Sequence, residues 1–173
     1  MQDVVSVTED MGPCPAEQRV LMETLRAQRA HVLIALDGLS KEALLRPVLP
    51  SGWTCLGLVK HLALDVERFW FRAVVAGEHV ELCAGDEAWR VDPSNAAAVL
   101  DLYRAEAERS DAIIAATRLD AGPAWWPTEV FAGMPERDLR ATVLHVVTET
   151  ACHSGHLDAA RELLDGHQHL VLT

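Results

Sequence analysis

Four long stretches of this chain repeat apolar residues at spacings of three and four, and no stretch alternates apolar with polar residues as a half-buried strand would. A chain patterned in that way buries a core by packing helices on helices. The first predicted helix runs from Ala16 to Leu36, with Pro15 at a first-turn position and Leu21, Leu25, Val32 and Leu36 on its apolar face. Gly38 stops it, and Pro47 and Pro50 mark the loop that follows. Thr54 is a good N-cap for the second, which carries Leu56, Val59, Leu62, Val66, Phe69 and Ala73 as far as Gly77. Pro93 and Ser94 announce the third, in which Val99, Leu102 and Ile113 share a face and which ends near Arg118. The fourth begins near Asp138, passes through Leu139, Val143, Val146 and Val147 to Leu164, and has Gly166 as its C-cap.

Residues 119–137 carry Pro123, Pro127 and Pro135 with Trp125, Trp126 and Phe131, and so read as a connection with an apolar side. The expectation is an all-α, four-helix bundle over residues 15–166, with a flexible N-terminal tail at 1–14 and a C-terminal tail at 167–173. Long loops between the helices permit crossover connections. No internal repeat and no second domain is expected.

Charge narrows the choice of partners. With 15 basic and 26 acidic residues the net charge is −11, which opposes binding to phosphate backbones and to anionic membrane surfaces. A small-molecule partner fits better than nucleic acid or membrane. No apolar run approaches the roughly 20 residues of a membrane span. Met1 to Gly12 has Asp3, Glu9 and Asp10 and no cationic start, so no secretory signal is expected and the cytoplasm is the expected compartment. Cys14, Cys55, Cys83 and Cys152 show no Cys-x-x-Cys spacing and read as reduced, mostly buried side chains. Cys55, in the first turn of a helix, is expected to have a lowered pKa.

The chemistry concentrates on the fourth helix, where His145, Glu149, His153 and His156 follow one another at intervals of four, four and three. At about 100° per residue they fall within a sector of roughly 80°, a ladder some 16 Å long beside the apolar face. Imidazoles and carboxylates beside a core need partners. One partner is a metal ion, since Glu149 and His153 lie one turn apart and can reach the same ion. The other reading is a hydrogen-bonded pair on a solvated face. His61, the histidine of the second helix, is the third candidate ligand, and Gly57 one turn before it leaves open space on that side. His145, His167 and His169 are set aside as non-ligands, the last two as tail residues. Asp65 either orients a ligand or pairs with Arg68 or Arg72. Trp53, Trp89, Trp125 and Trp126 either line a pocket over the metal or plug the bundle ends.

Two stretches resemble a known family. Pro50-Ser-Gly-Trp53-Thr-Cys-Leu-Gly-Leu-Val-Lys-His61-Leu-Ala, with Glu67 and Trp70 after it, is similar to the second helix of DinB-like proteins, in particular the branch holding the mycothiol-dependent maleylpyruvate isomerases and related thiol transferases. Leu144-His-Val-Val-Thr-Glu149-Thr-Ala-Cys-His153-Ser-Gly-His156-Leu-Asp-Ala-Ala-Arg161 is similar to their fourth helix. The resemblance implies an up-down-down-up bundle and a divalent metal, Zn or Ni, held by His61, Glu149 and His153. His156 stands where many members have glutamine, and it either joins Glu149 or replaces it. Three protein ligands leave positions open, as in catalytic sites. The implied activity is a metal-dependent transferase or isomerase using a low-molecular-weight thiol such as mycothiol. The alternative is a non-catalytic metal- or ligand-binding bundle, such as a stress-response or sequestration protein. An exposed helix face would also support a homodimer.

Overall fold

Capping groups fix the helices close to their expected ends. In the computed structural model, which describes residues 16–169, α1 spans Ala16–Leu36 and a single turn, α2, spans Lys41–Leu44. Helix α3 covers Cys55–His61 and runs on, with helical backbone angles at the join, as a π-helical stretch over Leu62–Val75. Helix α4 spans Ala96–Ala116 and α5 spans Leu139–Asp165. The Thr54 hydroxyl accepts the Gly57 N–H at 3.0 Å, and the Asp138 carboxylate accepts the Ala141 N–H at 2.8 Å. Each satisfies an amide that the first helical turn leaves unpaired. At its far end α5 stops on Gly166, whose φ of +79° suits glycine and reverses the chain. The tail expected at 1–14 lies outside the described residues.

Side-chain pairs along the seams give the direction of each helix. Arg140 binds Glu17 at the start of α1 and α5, while Arg161 donates to the carbonyls of Ala35 and Asp37 at their ends. These two helices therefore run parallel. Gln18, at the start of α1, donates to the carbonyls of Ile114 and Thr117 at the end of α4, so that pair is antiparallel. His61 meets His153 and Trp70 meets His145, so α3 is antiparallel to α5. The order is up-down-down-up, as the resemblance implies.

That order has a consequence for the loops. Parallel neighbours such as α3 and α4 cannot be joined by a tight turn, so the connection 76–95 must return along the bundle. It ends beside the start of α3 and carries Trp89 there, in a 3₁₀ turn over Glu87–Trp89.

The core is formed by Leu25 and Val32 of α1, by Leu56, Val59, Leu62 and Phe71 of α3 and its π-helical extension, and by residues of the last two helices that include Tyr103, Ile114, Val143, Val146 and Leu157. Two details differ from the expected faces. Leu21 is half-buried and Met22 takes the inner position on α1. On α4, Leu102 and Ile113 are also only half-buried, and the inner stripe is Val99, Tyr103, Glu106, Ser110 and Ile114. Apolar periodicity misplaces that stripe because two of its members are polar. Ser110 turns its hydroxyl back to the Glu106 carbonyl at 2.9 Å, and the Glu106 carboxylate accepts from Arg68 and Arg72. A second buried network joins Arg29 to Glu67 through two bonds of 2.7 Å and to Asp111 through a third. Such pairing is what makes buried charge tolerable. No helix among the described residues is long and apolar enough to cross a membrane.

Candidate metal centre

Antiparallel packing of α3 against α5 brings His61 and His153 together, with ring centroids 5.2 Å apart and the rings nearly perpendicular. Each ring is held differently. His61 Nδ1 lies 2.8 Å from Oδ2 of Asp65, one turn along. Asp65 thus pairs with His61 and not with Arg68, which goes to Glu106, or Arg72, which goes to Glu106 and Glu78. With Nδ1 engaged, the free donor of His61 is Nε2, the arrangement by which a carboxylate orients a metal-ligating imidazole. His153 Nδ1 is buried and has no hydrogen-bond partner. Burial, helped by the neighbouring His61, holds the His153 imidazole below its ordinary pKa, so it is neutral and has a lone pair to offer.

Glu149 and His156 flank His153 on the same helix. Oε2 of Glu149 lies 3.7 Å from Nε2 of His153, and the Glu149 side chain is 40 % exposed where that of His153 is 14 % exposed. The His156 ring lies 5.6 Å from that of His153, faces Trp53 at 6.3 Å, and is exposed. Donors around a tetrahedral ion with bonds of 2.0–2.2 Å stand about 3.3–3.6 Å apart. The His153–Glu149 separation is close to that spacing. The donor atoms of His61, Glu149 and His153 do not yet all lie within 4.8 Å of one another.

Trp89 covers the pair. Its ring stacks on His61 at 4.2 Å with 16° between the planes. Lys60 pins the loop from below, donating from Nζ to the carbonyls of Glu87 at 2.8 Å and Arg90 at 2.7 Å. Gly57 belongs to the same arrangement. The space beside it is not open, as the sequence suggested, because the Trp89 carbonyl occupies it and would collide with any Cβ. The site also abuts the start of the π-helical stretch, which follows directly on His61. Wide turns of that kind are rare and recur at functional sites.

The remaining members of the histidine and tryptophan sets lie elsewhere. His145 contacts Trp70 edge-on at 4.7 Å, under Arg137, in an aromatic cluster with Trp126 and Phe131. Burial first, then Arg137, holds its pKa down. Trp125 packs on Phe69 at 6.3 Å and is 40 % exposed. The four tryptophans outside the long helices therefore divide: Trp89 and Trp53 border the candidate site, and Trp125 and Trp126 close the other end.

The cysteines differ from expectation. Cys55 is buried in the core, and desolvation pushes its thiol up to about 11, outweighing the helix N-terminus that was expected to lower it. Cys83 is half-buried and Cys152 exposed, so the expected burial holds for Cys55 alone among these three. Cys14 lies outside the described residues. Sequence reasoning also missed a converging group of donors, His31, Asp158 and His169, whose ligand atoms all lie within 4.8 Å of one another. The sequence reads His169 as a tail residue, and the reversal at Gly166 returns it to the bundle.

An up-down-down-up bundle with facing histidines on its second and last long helices is a DinB-like architecture. The chain belongs to the mycothiol S-transferase family, whose model, described as Mycothiol-S-transferase, matches residues 20–166. Neither curated proteins nor solved structures gave a match.

Proposed function

We propose that this protein is a metal-dependent transferase that joins a low-molecular-weight thiol to a small electrophilic molecule, with His61, His153 and Glu149 as the metal ligands. The observation that carries the reading is the pairing of two half-buried imidazoles across α3 and α5, one with Nδ1 held by Asp65 and the other with Nε2 at 3.7 Å from the Glu149 carboxylate. The donor set suits Zn²⁺ or Ni²⁺. A bound divalent ion supplies Lewis acidity that holds a thiol as thiolate near neutral pH.

The chain's own residues do the rest. Asp65 fixes the tautomer and the ring plane of His61. Glu149 is favoured over His156 as third ligand because its oxygen lies near the spacing that a shared ion requires, whereas the exposed His156 ring leans toward Trp53. Trp89, Lys60 and Gly57 close one side of the site and limit water there. The half-exposed Glu149 marks the open side, from which a small substrate would enter. Family membership supports mycothiol as the thiol.

The test uses protein made without a histidine tag. Metal content near one ion per chain at the α3–α5 site, lost in His153→Ala, is expected. Mycothiol, bacillithiol, glutathione and coenzyme A are then offered with monochlorobimane, and metal-dependent conjugation with mycothiol is expected. Thiol binding without product, across a panel of electrophiles, would overturn the transferase reading and leave a metal-binding bundle.

A further inference from the structure

On the opposite side of α5 a second set of donors converges. His31 of α1, Asp158 of α5 and His169 beyond the end of α5 bring one ligand atom each to within 4.8 Å of one another. Nε2 of His31 lies 3.0 Å from Oδ1 of Asp158 and 2.9 Å from Oδ2. The rings of His31 and His169 approach to 4.1 Å with 32° between their planes. Asp158 is five residues after His153, a rotation of about 140° on the helix, so it faces α1 and not α3. The two sets share no residue.

Local structure explains how three separate segments meet. Gly166 turns the chain back in its left-handed conformation, with its N–H on the Glu162 carbonyl at 3.0 Å. Gln168 then donates to the Glu162 carboxylate at 2.7 Å, which directs the next residue toward α1. Arg161 fixes the other side of the seam by holding the carbonyls of Ala35 and Asp37. All three donors are half-buried, wet enough to be reached by an ion and dry enough for the bonds to matter.

Two imidazoles and one carboxylate are a donor set of open zinc sites. His31 and Asp158 stand 2.9 Å apart and every other pair of these donors lies within 4.8 Å, so small side-chain movements would reach the 3.3–3.6 Å or so that tetrahedral bonds of 2.0–2.2 Å require. An ion there would take the place of the direct His31–Asp158 contact. We propose that His31, Asp158 and His169 form a second divalent-cation site, suited to Zn²⁺, that clips the chain beyond α5 onto α1. It does not depend on the catalytic reading of the α3–α5 site.

The experiment is a Zn²⁺ titration of the full, tag-free, metal-stripped chain against a chromophoric chelator. Wild type should take up two equivalents. His169→Ala, a change outside every helix, should lose one of them, and so should His31→Ala. His153→Ala should lose the other and keep this one. Amide exchange over residues 162–169 should slow on Zn²⁺ addition in wild type and in His153→Ala but not in His31→Ala. Loss of an equivalent in His169→Ala together with unchanged uptake in His153→Ala would support this site and sink the α3–α5 one. Equal uptake by wild type and His169→Ala, with no protection of residues 162–169, would overturn the proposal.

Discussion

Replacing Asp65 with Ala separates the orienting role of a carboxylate from any part it has in holding the bundle together. In the metal-free chain Asp65 makes an i, i+4 contact with His61 at 2.8 Å, and its side chain is 34 % exposed. Such helix-surface pairs contribute about 0.3–0.5 kcal/mol. The metal-free variant should therefore melt within a degree or two of wild type. With metal present the position changes, because loss of a group that orients a ligating imidazole typically lowers metal affinity 10–100-fold. That corresponds to about 1.4–2.7 kcal/mol of stabilisation lost at saturating metal. For a domain of this size it is about 3–10 °C of Tm. The assay is a pair of melting curves, metal-free and metal-saturated, alongside a competitive Zn²⁺ titration. Asp65→Asn, which can still accept from Nδ1, should recover part of the affinity. An equal loss of Tm with and without metal, or an affinity unchanged from wild type, would refute the assignment of Asp65 as the residue that positions His61.

Three further outcomes follow from the same geometry. Gly57→Ala places a methyl group against the Trp89 carbonyl, which should displace the Lys60-pinned loop, cost about 1–3 kcal/mol in a denaturant melt and alter Trp89 fluorescence; an unchanged emission spectrum would count against the packing. In iodoacetamide labelling read by peptide mass spectrometry at neutral pH, Cys152 should react and Cys55 should stay unmodified until the chain is unfolded, because Cys55 is buried with its thiol raised to about 11. His145 and His153 are both held below the ordinary value of 6.5 in the folded chain and return toward it on unfolding. The unfolded chain thus binds more protons below pH 6.5, so this part of the stability is fully present above that pH and is lost as pH falls from there through the lowered folded values. Metal-free protein should melt lower at pH 5.5 than at 7.5, with a smaller difference in His145→Phe, and a Tm that rises on acidification would contradict both shifts.

The helices were legible because their ends are local chemistry: Thr54, Asp138, Gly38 and Gly166 act within one turn of themselves. The facing of His61 and His153 was legible through the ladder and the family resemblance together, since spacing along α5 says nothing of what lies across from it. What escaped were consequences of the path of the chain. Trp89 and Gly57 meet because a parallel pair forces a returning loop, and no periodicity records that route. His145 shares the stripe of His153 yet ends among Trp70 and Phe131, because the stripe outruns the site. Cys55 was misjudged for a similar reason: its position in the first turn is local, and the burial that outweighs it is not.

The chain order gives the α3–α5 pairing a topological meaning as well. An ion held by His61 and His153 would act as a staple, closing α4 and the two long connections into a single lasso and leaving α1 outside. The closed loop would have less freedom to gain on unfolding, as with a disulfide across the same span. Helix α1, held by packing and by side-chain pairs that include Glu17, Gln18, Arg26, Arg29 and His31, lies outside that loop and could detach without this staple opening. In His31→Ala, where only the α3–α5 ion would remain, metal should thus slow exchange of the most protected amides in α3, α4 and α5 more than those of α1, and the first subglobal opening would be the departure of the first helix.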